Sequence, residues 1–140
     1  MIVEDERFFH SLYKIMLKNT GYGIIHTYDG GEAMEKLQEK KPDLIILDML
    51  MSVVTGDKFF LDIKNIPEYV DIPVIIITAY SEKQYTNLKE ADPNLIFIEK
   101  PHLTMERLLD EVEKKIDYSR FLNKQSLRRN RCNSDTFHQG

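Results

Sequence analysis

An α/β fold built on a parallel sheet is predicted by three features of the 140-residue chain. First, Leu44-Ile45-Ile46-Leu47 and Val74-Ile75-Ile76-Ile77 are unbroken apolar runs, the pattern of strands buried on both faces. Second, shorter apolar segments alternate with stretches of helical periodicity, as right-handed βα crossovers require. Third, the strand candidates end on residues able to do chemistry, and the ends of such strands are where open α/β sheets bind ligands.

In chain order, Met1-Ile2-Val3 is a short first strand running into Glu4-Asp5-Glu6. Phe8, Phe9, Leu12, Ile15 and Met16 recur at helical spacing, and Asn19-Thr20-Gly21 supplies the stop. Residues 23–28 form the second strand, closed by Asp29-Gly30-Gly31; Ala33, Met34 and Leu37 mark a helix that ends near Lys41 and Pro42. The third strand, 44–48, ends on Asp48, and Phe59, Phe60 and Ile63 make a short helix before Pro67. The fourth, 73–78, ends on Thr78; Ser81 caps a helix running to about Ala91. The fifth, 95–98, leads into Glu99-Lys100-Pro101, and a last helix carries Met105, Leu108, Leu109, Val112 and Ile116 on one stripe. After Tyr118 the periodicity fades, so one domain over 1–118 and a basic, disordered tail or linker over 119–140 are expected.

Composition bounds the function. Residues 1–118 hold 14 Lys/Arg against 22 Asp/Glu, whereas 119–140 hold five against one. An acidic globule argues against nucleic acid as the partner of the main body, and Arg128, Arg129 and Arg131 read as a linker rather than a binding patch. No apolar run reaches the ~18 residues that span a bilayer. The single cysteine, Cys132, closes no internal disulfide, which fits a reducing, cytoplasmic setting. His10, His26, His102 and His138 lack metal-ligand spacing and read as structural or exposed.

The predicted topology brings Glu4, Asp5, Asp48, Thr78 and Lys100 to one edge of the sheet. Three carboxylates together repel unless a cation joins them, and hard oxygen ligands suit Mg²⁺. A lysine among them makes sense if an anion such as phosphate arrives, and a threonine hydroxyl adds a neutral donor. The set reads as a phosphoryl-transfer site with Asp48 as nucleophile.

In this order, Glu4-Asp5, Asp48, Thr78-Ala79 and Lys100-Pro101 resemble the response regulator receiver domain of two-component phosphorelay signalling. Met51 and Gly56 stand where that family's loop after the aspartate has Met and Gly, and Phe97 stands at its switch aromatic. The resemblance implies a flavodoxin-like (βα)5 three-layer sandwich with a five-stranded parallel sheet in the order 2-1-3-4-5. It implies that Asp48 takes a phosphoryl group from a phosphohistidine. Glu4, Asp5, Asp48 and the Leu50 backbone carbonyl would hold Mg²⁺. Thr78 and Lys100 would contact the phosphoryl group, and Thr78 with Phe97 would switch the surface of the fourth helix, fifth strand and fifth helix. Implied partners are a sensor histidine kinase or phosphotransfer protein and a downstream target or lost output domain, with phosphorylation-dependent homodimerisation as a further mode. The module would be no enzyme in its own right.

Departures from the family pattern are Ser52 in place of its usual Pro, a first strand that starts at Met1, and Glu90-Ala91-Asp92-Pro93-Asn94 in place of its Gly-Ala loop. No output domain follows, only the tail. The alternative is a Mg²⁺-dependent phosphohydrolase with an aspartate nucleophile; its general acid would stand two residues past Asp48, where Leu50 has no proton to give. A flavin-binding protein of like topology needs a phosphate-cradling loop after the first strand, where Glu4-Asp5-Glu6 would repel the phosphate.

Overall fold

The computed structural model describes residues 1–135, with side chains described through residue 131. Five parallel strands form one sheet: β1 (Ile2–Val3), β2 (His26–Thr27), β3 (Ile45–Leu47), β4 (Val74–Thr78) and β5 (Ile96–Glu99), in the order β2-β1-β3-β4-β5. The helices are α1 (Arg7–Met16), α2 (Gly30–Glu39), α3 (Gly56–Lys64), α4 (Thr86–Ala91) and α5 (Met105–Asp135). The expected three-layer α/β sandwich and its strand order are observed.

Two apolar layers flank the sheet because successive strand residues point to opposite faces. Val3, Ile45, Leu47, Val74 and Ile76 pack with Ala33, Leu37, Phe59, Phe60, Ile63 and Leu88 from α2, α3 and α4. Ile2, Ile46, Ile75, Ile77 and Ile98 pack with Tyr13 and Leu17 at α1 and with Leu108, Val112 and Ile116 of α5. β3 throughout and β4 as far as Thr78 are therefore apolar at every position, which is why their runs are unbroken in sequence.

Several expectations are corrected. The second strand keeps only His26–Thr27 of the expected 23–28, because it pairs with β1 alone and β1 offers two residues. The α1 stripe is rotated: Phe8 and Ile15 are 68% and 65% exposed, while His10, Tyr13 and Leu17 are buried. His10 turns that face inward, its Nε2 lying 2.6 Å from the Glu4 carbonyl oxygen. The helix expected over 81–91 is a 3₁₀ turn, Glu82–Tyr85, followed by α4, and Met105 at the start of α5 is 46% exposed.

The unstructured tail from Ser119 is also corrected. Helix α5 crosses Tyr118 without a break and continues to Asp135. The stretch has neither Gly nor Pro, its four Arg, two Leu, Lys124 and Gln125 are good helix formers, and extending a formed helix costs far less than nucleating one. The remainder of the expected tail, with His138, lies outside the described residues. No helix among the described residues is long and apolar enough to cross a membrane.

Candidate functional site

The register of the parallel ladder assembles the site. Val3 is level with Leu47, so the next residues along, Glu4 and Asp48, emerge side by side at the C-terminal edge of the sheet. The ladder holds both residues, Glu4 N–H donating to the Thr27 carbonyl at 3.1 Å and Asp48 N–H to the Val3 carbonyl at 3.0 Å. Thr78 ends β4 level with Glu99, and Lys100 follows directly. Gly56, at the start of α3, is pressed against the loop after Asp48; a Cβ there would collide with the Asp48 carbonyl oxygen. Its own N–H donates to the Met49 carbonyl at 3.0 Å, which ties the loop back to the helix.

Lys100 is the hub. Its Nζ lies 3.0 Å from Glu4 Oε2, 3.3 Å from Asp48 Oδ2 and 3.9 Å from Glu6 Oε1, and 3.7 Å from the centroid of the Phe9 ring. Burial disfavours its charge, but the hydrogen bond to Glu4 and the charge of Asp48 outweigh that, and its pKa is raised. Glu4 is pushed the other way in chemical consequence: burial and then the neighbouring Asp48 raise its carboxyl from 4.5 to about 7, against the pull of the Glu6 amide and Lys100. The Glu6 N–H donates to Glu4 Oε1 at 3.1 Å.

Asp48 Oδ1 and Thr78 Oγ1 at this edge are buried with no hydrogen-bond partner among the described residues, while the equally buried Glu4 Oε2 is met by the Lys100 ammonium. Such orphans are costly in a closed interior and ordinary where a ligand completes the bonding. The Tyr13 hydroxyl on α1 is also buried and unpartnered, and burial with the charges of Glu4 and Asp48 raises its pKa strongly.

All five residues expected from the strand ends thus come to one edge, but their grouping differs in detail. Glu4, Asp5 and Glu6 bring carboxylate oxygens within 4.8 Å of one another, while Asp48 is turned toward Lys100 rather than joining that trio. Leu50 lies on the loop beyond Asp48 with its side chain 56% exposed. Phe97 is half-buried and stacked on Tyr85, ring centroids 6.0 Å apart, with Tyr80 beyond Tyr85 at 6.4 Å. Glu6 and Phe9 were missed by sequence reasoning. The acidic run signalled Glu6, but Phe9 looked like ordinary helix core, and nothing local marks a ring that will sit over a lysine 91 positions later. His10 and His26, read as structural, pair through Nδ1 atoms 2.6 Å apart. The donor set fits a divalent cation: hard carboxylate oxygens, one of them buried and unpartnered, and a second acid held near neutrality.

Comparison with known proteins is consistent in direction. Residues 1–113 match the response regulator receiver domain family. The polar-differentiation response regulator DivK of Brucella anthropi is 36% identical over 83 residues, covering 59% of this chain and 68% of that protein. Among solved structures, the signal receiver domain of a signal transduction histidine kinase from Syntrophus aciditrophicus superposes with a TM-score of 0.73 at 32% identity, covering 83% of this chain and 87% of that one. The chemotaxis protein CheY4 of Vibrio cholerae gives 0.72 at 26% identity, covering 81% and 93%.

Proposed function

The chain belongs to the response regulator receiver family of two-component signalling, and from that premise we propose that Asp48 is its phosphoacceptor. The observation that carries the reading is the asymmetry of the Asp48 carboxylate. Oδ2 is held by Lys100 at 3.3 Å, whereas Oδ1 is buried and unpartnered among the described residues. One oxygen is anchored and the other is left for chemistry.

In the proposed reaction a carboxylate oxygen of Asp48 attacks the phosphorus of a phosphohistidine on a sensor histidine kinase or phosphotransfer protein. The P–N bond breaks with its electron pair going to the imidazole nitrogen, and a P–O bond forms on Asp48. Lys100 Nζ, already within reach of Asp48, transfers its pairing to the phosphoryl oxygens, and the unpartnered Thr78 hydroxyl donates to them. Glu4, Asp5 and Asp48, with the Leu50 backbone carbonyl, would hold Mg²⁺, which supplies positive charge against the phosphoryl oxygens. Movement of Thr78 toward the phosphoryl group frees space beside β5. Phe97 then turns inward, leaving its present stack on Tyr85, and changes the surface of α4, β5 and α5 that a downstream target or output domain reads.

The test is to offer acetyl phosphate with Mg²⁺ and follow the intact mass of the protein. A stoichiometric adduct is expected in the natural sequence and none in Asp48→Asn, which keeps the size and hydrogen bonding of the side chain but not its nucleophilic oxygen. Robust labelling of the variant at another carboxylate would remove Asp48 from its role. Multiple turnover of phosphomonoesters would favour the phosphohydrolase alternative.

A further inference from the structure

The Lys100 ammonium sits where water has little access, its side chain being 10% exposed. Its near oxygens are Glu4 Oε2 at 3.0 Å and Asp48 Oδ2 at 3.3 Å. The next, Glu6 Oε1, stands at 3.9 Å, beyond hydrogen-bond reach. An ammonium has three N–H bonds to place, and the face of the Phe9 ring covers the side that the two carboxylates leave, with Nζ 3.7 Å from the ring centroid. Two more cations lie over rings among the described residues, but more loosely: Arg7 over Tyr28 at 5.2 Å and Lys64 over Phe60 at 5.5 Å.

The Phe9 ring is itself held in place. Its backbone N–H donates to the Glu6 carbonyl at 3.1 Å in the first turn of α1, and Phe8 meets the ring edge-on at a centroid distance of 5.4 Å. Tyr13 lies against it at 6.2 Å, and the ring packs on the apolar layer beneath α1 and α5. An aromatic face attracts a cation through its quadrupole while carrying no net charge. That distinction matters in this site. A further carboxylate would hold the lysine equally well but would repel an incoming phosphoryl group, and water would hydrate the ammonium and free its flexible stem. The start of a helix also disfavours a cation, so a lysine without the ring would be drawn outward to Glu6, which is 61% exposed.

Resting on the reading of Asp48 as phosphoacceptor, we propose that Phe9 is a positioning residue for that reaction: its ring face holds the Lys100 ammonium between Glu4 and Asp48, ready to pass to the phosphoryl oxygens. Phe9 touches no reacting atom and acts through Lys100. A cation already in place needs no reorganisation when charge develops on the phosphoryl group. A leucine would fill much of the same space in the apolar layer but would offer the ammonium no face.

The test uses the full chain with Phe9 replaced by mono-, di- and trifluorinated phenylalanine, and by leucine in Phe9→Leu. Fluorine withdraws charge from the ring face and leaves the ring's shape and apolar character nearly unchanged, so packing and attraction for the cation are separated even if Phe9→Leu folds poorly. With acetyl phosphate and Mg²⁺, labelling should slow stepwise with each fluorine, roughly fivefold by the trifluorinated ring, and at least as much in Phe9→Leu. A second readout does not depend on the phosphoryl group. In the proton NMR spectrum the Lys100 ε-methylene signals, identified by their loss in Lys100→Arg, should lie upfield of those of exposed lysines because of the ring current. They should move back toward the exposed position as fluorines are added, and reach it in Phe9→Leu. Labelling rates that ignore fluorination reduce Phe9 to core packing and overturn the proposal. So do Lys100 signals that are unshifted in the natural chain or unmoved across the series. If the natural chain takes no label, Asp48 loses its role, and the lysine signals then decide for or against the hold of Phe9 on Lys100.

Discussion

Glu4 is held in a position that its chemistry resists. The β1–β3 register sets it beside Asp48, burial strips its hydration, and Lys100 is shared between the two carboxylates. The folded protein therefore keeps a proton on Glu4 to about 7, where the ordinary value is 4.5. A carboxyl raised in the folded state binds its proton more tightly there than in the unfolded chain. The stability it allows is full below the ordinary value and declines as pH rises toward about 7, levelling off above it. In chelator, the protein should thus lose stability between about pH 5 and pH 7. Glu4→Gln should flatten that slope and stabilise the metal-free protein at pH 8 by roughly 1–2 kcal/mol. Urea denaturation of both proteins at pH 5, 6 and 8 measures it, and equal slopes would show that Glu4 does not titrate in this window. The same residue shows what a sequence reveals at this scale. An acid after a buried run marks a strand end, but the identity of its neighbour depends on register, which no local pattern contains.

At the scale of elements, legibility followed burial on both faces. The runs at β3 and β4 were unmistakable because a strand inside a three-layer sandwich has no solvent side to alternate toward. Edge and surface elements were harder. β2 contracts to what β1 can pair with, and α1 presents Phe8 and Ile15 to solvent because His10 and Tyr13 claim the inner face. The far end of α5 carries no apolar stripe against the globule, so periodicity could not report it. The short β1 has an energetic consequence. The Met1 ammonium donates to the Leu44 carbonyl at 2.8 Å, burial lowers its pKa to about 6, and a cavity of about 340 Å³ opens there between Ile24, Pro42, Leu44 and Ile116. Three apolar residues placed ahead of Met1 should extend the ladder between β2 and β3, fill that space and move the charged terminus out to water. Each added ladder bond contributes roughly 0.5–1.5 kcal/mol, so a total gain above about 1 kcal/mol is expected. An extended chain that melts at the same temperature would show that the groove accepts no further strand.

At the scale of the molecule, parallel topology made the convergence of the site legible. Five residues spread over 97 positions share one sheet edge because every strand points the same way. What topology could not reveal is that Lys100 bridges Glu4 and Asp48, leaving Asp5 and Glu6 to complete the acidic trio. That arrangement couples the site to the stability of the whole domain. A cation bound only by the folded state stabilises it by mass action, about 1.4 kcal/mol at ten times its dissociation constant. For a domain of this size such a gain raises the melting temperature by roughly 5 °C. Mg²⁺ at millimolar levels should therefore raise it at pH 8, and Asp5→Ala should remove most of the rise. Protons compete for the same oxygens, since Glu4 holds one up to about 7. The Mg²⁺-induced rise should accordingly shrink as the pH falls from 8 to 6, and in Glu4→Gln it should lose that pH dependence. Thermal scans with and without Mg²⁺ across this range decide the matter. A natural chain whose melting curve ignores Mg²⁺ at every pH would mean that the acids gathered at the sheet edge do not act as one cation site.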